Sequence, residues 1–200
     1  TLTAGDERGL NHLTAAHGST LVERAMIDAV GRGTGQSYHE MLISAENPLG
    51  IDLGGILPAL RDVSVADIVS SKPSSSVAIR HTVGLTDPIQ DQDIATDERL
   101  DDGLPQSLAA YIQTQGLTHF KVKIQGNAEH DLERLRQIAA VVKPEDGCVI
   151  SLDGNEQYTD LDPFEALLAR LKQEIPDFYR AISYIEQPLE RSVALESAHS

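Results

Sequence analysis

Two lysines, Lys121 and Lys123, stand one residue apart in the run HFKVKI, where the pattern otherwise asks for a buried strand. Residues two apart on a strand point to the same face. His119, Lys121 and Lys123 therefore share one face, and Phe120, Val122 and Ile124 share the other. Neighbouring ammonium groups repel, which favours loss of one proton, and a lysine made neutral in this way can act as a general base. Further on, ISLDGNEQY carries Asp153 and Asn155, and YIEQPL carries Glu186. Two carboxylates are hard oxygen ligands suited to Mg²⁺. Metal and lysine together suit removal of a proton α to a carboxylate, with the metal holding the charge that develops.

Each motif has a plainer reading by itself. K-x-K fits a strand with one solvated face, Asp-Gly-Asn forms turns readily, and Pro188 stops a strand. Their spacing joins them. Lys123, Asp153 and Glu186 end three successive strand-like segments at intervals of roughly 30 residues, the length of one βαβ unit.

The elements that must position them follow from periodicity. Strands are expected over 77–83, 119–124, 148–153 and 181–186, and helices over 102–116, 130–142 and 162–172, the last with Asp162 as N-cap. Strand and helix in alternation predict parallel βαβ units. A full (β/α)8 barrel needs about 250 residues, so this half of the chain predicts a partial (β/α) TIM-type barrel of about four βα units. The strand ends would converge at its functional face. Before it, residues 1–70 read as mainly helical. The clearest helix covers 20–30, with a capping box at Thr20 and Glu23, an inward face of Val22, Ala25, Met26, Ala29 and Val30, and a stop at GRGTG. SSKPSSS, residues 70–76, reads as a linker or a surface loop. The expected division is 1–73 and 74–200.

Composition excludes some partners. Net charge is −15, from 31 acidic against 16 basic residues, which argues against nucleic acid and against an anionic membrane surface. The single cysteine, Cys148, permits no intrachain disulfide, and a reducing, cytoplasmic location is the simplest expectation. No stretch has the length and apolarity of a membrane span. The chain starts TLTAGDERG and ends LESAHS, and reads as a segment of a longer protein.

FKVKI, SLDGNEQY and YIEQPL, in that order, resemble the enolase superfamily, most closely its mandelate racemase/muconate lactonizing enzyme-like branch. STLVERAMIDAVGRGTGQSYHEML is similar to the helix pair of that family's α+β capping domain. The resemblance implies Lys123 as the base and Lys121 as a contact for the substrate carboxylate. It implies Asp153 and Glu186 as Mg²⁺ ligands, and Asn155 close to metal or substrate. It implies a racemase, cycloisomerase or dehydratase of a small carboxylic or sugar acid, with the intact protein a homo-oligomer. The third metal ligand and the far-side acid/base are expected beyond Ser200. DGN departs from the commoner D-A-N form. Two rival readings remain: a lyase forming a Schiff base through Lys123, and a non-catalytic half-barrel that binds a partner. His81 reads as a core histidine and Cys148 as a small buried hydrophobe.

Overall fold

The computed structural model of the chain describes residues 2–194; residues 195–200, at the end of the second expected domain, lie outside the described residues. The chain divides into two units, Thr1–Ser76 and Val77–Ser200.

The first unit is helical, and among its described residues there is no strand. α1 covers Leu2–Asp6 and α2 covers His12–Thr34. α2 starts earlier than its pattern suggests because Asn11 caps it, the side-chain oxygen accepting from Thr14 N at 2.8 Å. Thr20 lies inside the helix, its hydroxyl donating to the His17 carbonyl at 2.8 Å, so the expected capping box does not form. The helix runs through Gly31 and Gly33 and stops where Gly35 turns left-handed, at φ 70°. The expected inward face is also corrected: Val22, Ala25, Met26 and Ala29 are exposed, and of that face Val30 alone is partly covered. α3 (Tyr38–Ile43) begins in a capping box between Ser37 and Glu40 and buries Met41. α4 (Leu53–Ile56) and α5 (Val65–Ile68) are single turns.

The second unit is a mixed α/β structure around a four-stranded parallel sheet. Its elements are β1 (Arg80–Val83), α6 (Leu108–Gln115), β2 (His119–Lys123), α7 (Ala128–Val142), β3 (Val149–Asp153), α8 (Leu161–Glu174), α9 (Pro176–Ala181) and β4 (Ile182–Glu186). The spatial order β1-β2-β3-β4 repeats the chain order, and every pair is parallel. Crossovers that all step the same way with the usual right hand put their helices on one face of the sheet. Phe120, Val122, Ile124, Ile150 and Leu152 point to that face and are at most 1% exposed. They meet Leu132, Leu135 and Ile138 of α7, Phe164, Leu167 and Leu171 of α8, and Phe178 of α9. Burying each such side chain stabilises the fold by about 1.5–3 kcal/mol.

Several helix boundaries differ from the pattern. α6 starts at Leu108, capped by Ser107, whose hydroxyl accepts from Ala110 N at 3.2 Å, and residues 84–107 form a loop with two 3-10 turns. α8 is capped by Asp160, not Asp162. α9 follows a break at Ile175, where Pro176 opens a new helix. Among the described residues, no helix is long and apolar enough to cross a membrane.

Candidate functional site

The face of the sheet away from the helices is polar. Lys121, Lys123, Ser151, Asp153, Tyr184 and Glu186 fall on it by register: Lys121 opposite Ser151, Lys123 opposite Asp153, and Asp153 opposite Glu186. Lys121 Nζ stands 2.7 Å from Asp153 Oδ2 and 3.0 Å from Glu186 Oε2. Asp153 is 1% exposed at its side chain, Lys121 18% and Glu186 34%. Glu186 Oε2 is itself shut off from solvent and accepts no hydrogen bond, so its contact with the ammonium is an attraction at a poor hydrogen-bond angle.

That meeting depends on a bulge. Ile150 pairs with Ile182, but Ser151 pairs with Tyr184, so Ser183 is an extra residue on β4, its hydroxyl donating to the Ile150 carbonyl at 3.0 Å. A strand slipped by one residue shows its other face. Without the bulge Asp153 would lie opposite Ile185; with it, the two carboxylates stand side by side.

The electrostatics follow from burial and partners. Asp153, and then Glu186, hold the Lys121 ammonium above its ordinary value, against the opposing effect of desolvation. Burial pushes the Asp153 carboxyl up, but Lys121, the Asn155 N–H and the charge of Lys123 outweigh it, and the group sits below its ordinary value. Lys121 is therefore held as the ammonium. Among the described residues Lys123 pairs with no carboxylate.

The loops after β3 and β4 hold the site's rim. Asn155 donates to Asp153 Oδ1 from both its backbone N (3.0 Å) and its side-chain Nδ2 (2.9 Å). Asn155 (φ 45°), Glu156 (φ 63°) and Gln187 (φ 43°) are all left-handed without being glycine. Such strain collects at functional sites and persists only where surroundings enforce it. The enforcement is visible: Gly154 N donates to the Glu186 carbonyl, Glu156 N to that of Gln187, and Tyr158 N to that of Pro188, at 2.8 Å, 2.8 Å and 3.1 Å. Arg191 grips Glu156 through two contacts of 2.8 Å and 2.9 Å. Gly154 is required by proximity, since a Cβ there would lie 2.5 Å from Pro188 Cα. The departure from D-A-N thus has a local cause.

All five candidate residues therefore come together at the C-terminal ends of β2, β3 and β4. Other residues of the face went unread in the sequence. Arg80 crosses β2 to donate to Ser151 Oγ at 3.1 Å and lies over the Tyr184 ring, 5.6 Å from its centre. His81 turns the other way and packs on Tyr111 of α6, ring centres 4.7 Å apart. Cys148 is half-buried, and burial raises its thiol above the ordinary value, with Glu145 adding to the effect.

Two hard carboxylates aimed at one cation, with one buried oxygen lacking a hydrogen-bond donor, fit Mg²⁺ in donor type. Among the described residues no group of three or more His, Cys, Asp or Glu could hold a metal ion. In comparisons with known proteins, the chain matches no family model, no curated protein and no solved structure.

Proposed function

We propose that this chain carries the strand-end face of a Mg²⁺-dependent enzyme that removes a proton α to the carboxylate of a small acid, on a barrel-type (β/α) fold of the enolase-superfamily kind. One observation carries the reading: Asp153 and Glu186 converge on the Lys121 ammonium at adjacent parallel strand ends, with Lys123 one register step away. The singly wound strand order supports the barrel, because it leaves one whole face of the sheet free for such a cluster.

The roles divide by charge. Asp153 and Glu186 would hold Mg²⁺, which when bound supplies positive charge beside the substrate carboxylate. The Lys121 ammonium, which borders the same oxygens, would face the substrate carboxylate and bind it. Lys123, in no ion pair among the described residues, takes the α-proton onto its Nζ. Asn155 keeps Asp153 oriented through two hydrogen bonds.

Calorimetric titration of the full chain with Mg²⁺ tests the metal assignment. Asp153→Asn and Glu186→Gln should each weaken binding by roughly 10-fold or more; unchanged affinity in both overturns it. Deuterium uptake at the α-carbon of a panel of carboxylic and sugar acids, followed by NMR, tests the base. Exchange as fast in Lys123→Ala as in the parent removes Lys123 from the role.

A further inference from the structure

Asp131 is a carboxylate only 3% exposed, in the first turns of α7. A buried charge is costly unless fully hydrogen-bonded, and this one has three donors. Gln125 N donates to Oδ1 at 2.8 Å, Gly126 N to Oδ2 at 3.1 Å, and the Tyr158 hydroxyl to Oδ2 at 2.7 Å. Burial first, and then Asp131, raise the Tyr158 phenol well above its ordinary value, so it remains a donor.

The three donors belong to two different loops, and a third loop joins them. Gln125 and Gly126 begin the loop after Lys123. Tyr158 ends the turn that starts at Asp153. Tyr158 in turn gives its N–H to the Pro188 carbonyl (3.1 Å) and takes the Glu190 N–H on its own carbonyl (2.8 Å), in the loop after Glu186. The first two loops also touch: Gly126, at φ 85°, leaves no room for a Cβ, which would fall 2.5 Å from the Gln157 carbonyl oxygen. One carboxylate thus anchors the loops after Lys123 and Asp153, and the Tyr158 backbone carries the link on to the loop after Glu186. Asp131 and Tyr158 sit on the helix side of the sheet and, among the described residues, make no hydrogen bond or ion pair to Lys121, Lys123, Asp153 or Glu186.

We propose that Asp131 and Tyr158 are positioning residues: their hydrogen bond ties the loops after β2, β3 and β4 together and so fixes where Lys123, Asp153 and Glu186 stand relative to one another. This rests on the metal reading given above. Outer partners of metal ligands set affinity without touching the ion, and here the setting is done through the backbone.

The test is Mg²⁺ titration of the full chain by calorimetry, with thermal unfolding in parallel, for Asp153→Asn, Tyr158→Phe, Asp131→Asn, the double variant and Phe164→Leu. Phe164 packs edge-on against the Tyr158 ring at 5.3 Å and controls for lost packing alone. Tyr158→Phe keeps the ring and removes only the hydroxyl, so it decides the matter even where Asp131→Asn fails to fold. Tyr158→Phe is expected to weaken Mg²⁺ binding roughly 10-fold, the double variant no further than either single change, and Phe164→Leu to lower the unfolding temperature with affinity unchanged. Weakened binding in Asp153→Asn with unchanged affinity in Tyr158→Phe, equal loss in Phe164→Leu, or additive losses in the double variant overturns the positioning role and leaves the metal assignment standing. Unchanged affinity in Asp153→Asn overturns both.

Discussion

The two faces of the second unit carry two charge clusters of opposite character. On the helix side, Glu129, Arg170, Glu174, Arg136 and Glu133 form an unbroken ladder from α7 to α8 and back. It has more members and more contacts than the cluster on the strand-end face, yet Glu129 is 76% exposed and Glu133 61%. On the strand-end face Lys121, Asp153 and Glu186 meet, and Asp153 is 1% exposed. Water screens the first cluster and is excluded from part of the second. A buried ion pair costs desolvation that apolar packing would avoid, so the smaller cluster is a poor device for stability and a good place for charge that is used. The number of ion pairs says little; the water around them says more.

Removing one member should separate the clusters most sharply. Lys121→Met leaves two carboxylates facing each other, one fully buried. The expected loss is about 3 kcal/mol, the low end for a broken buried pair, because Lys121 and Glu186 keep some contact with solvent. Urea denaturation measures it. Mg²⁺ should restore much of the loss, since an ion that binds only the folded chain stabilises it. A loss that Mg²⁺ does not touch would leave the cluster purely structural.

Acid and base should then dissect the same cluster. The Asp153 carboxyl lies below its ordinary value in the fold, so its contribution is complete above the unfolded value near ~3.9 and is lost as pH falls through the folded one. The Lys121 ammonium lies above its ordinary value, so its contribution is complete below the unfolded value near ~10.4 and is lost as pH rises through the folded one. The stability gap between the parent and Lys121→Met should be widest between these limits and close at both ends. A gap independent of pH would mean that the methionine change acts through packing.

A smaller effect is expected where the rim crosses itself. Gly154→Ala places a methyl group 2.5 Å from Pro188 Cα, a backbone atom that cannot swing aside. Overpacking of this kind costs about 1–3 kcal/mol, and the displaced Gln187–Pro188 backbone should carry Glu186 with it and weaken Mg²⁺ binding. Full stability with full affinity in Gly154→Ala would show that the loop yields freely.

These contrasts mark what was legible in the residues. The alternation of HFKVKI and the 3.6-residue stripes of α7 and α8 report burial directly, because each position's environment repeats with the element's period. The strand ends were legible because one βαβ unit has a nearly fixed length. The bulge at Ser183 was not, since register belongs to the pairing of two strands and leaves no mark on either. The bond between Tyr158 and Asp131 joins residues from separate loops, and each alone reads as an ordinary helix or turn residue. In the first unit the stripe Val22, Ala25, Met26 misled for a related reason: period shows that a face is apolar, not what covers it.

The ladder on α7 and α8 should give the smallest response. Arg136, and then Arg170, hold the Glu174 carboxyl below its ordinary value, which places its effect above the unfolded glutamate value near ~4.3 and removes it in acid. Both arginines and the glutamate are partly open to solvent, and Glu129 and Glu133 are mostly so, where ordering long side chains offsets much of the attraction. Glu174→Gln should therefore move the urea midpoint little, and 1 M salt should abolish even that difference, because the screening length falls to about 3 Å. Asp153→Asn, tested alongside, should keep most of its effect in the same salt, because Asp153 is buried and its partner lies 2.7 Å away, mostly out of water. If Glu174→Gln proved as costly as Asp153→Asn and as resistant to salt, the ladder would be the structural keystone. The contrast between the two faces would then have to be drawn from geometry, not from water.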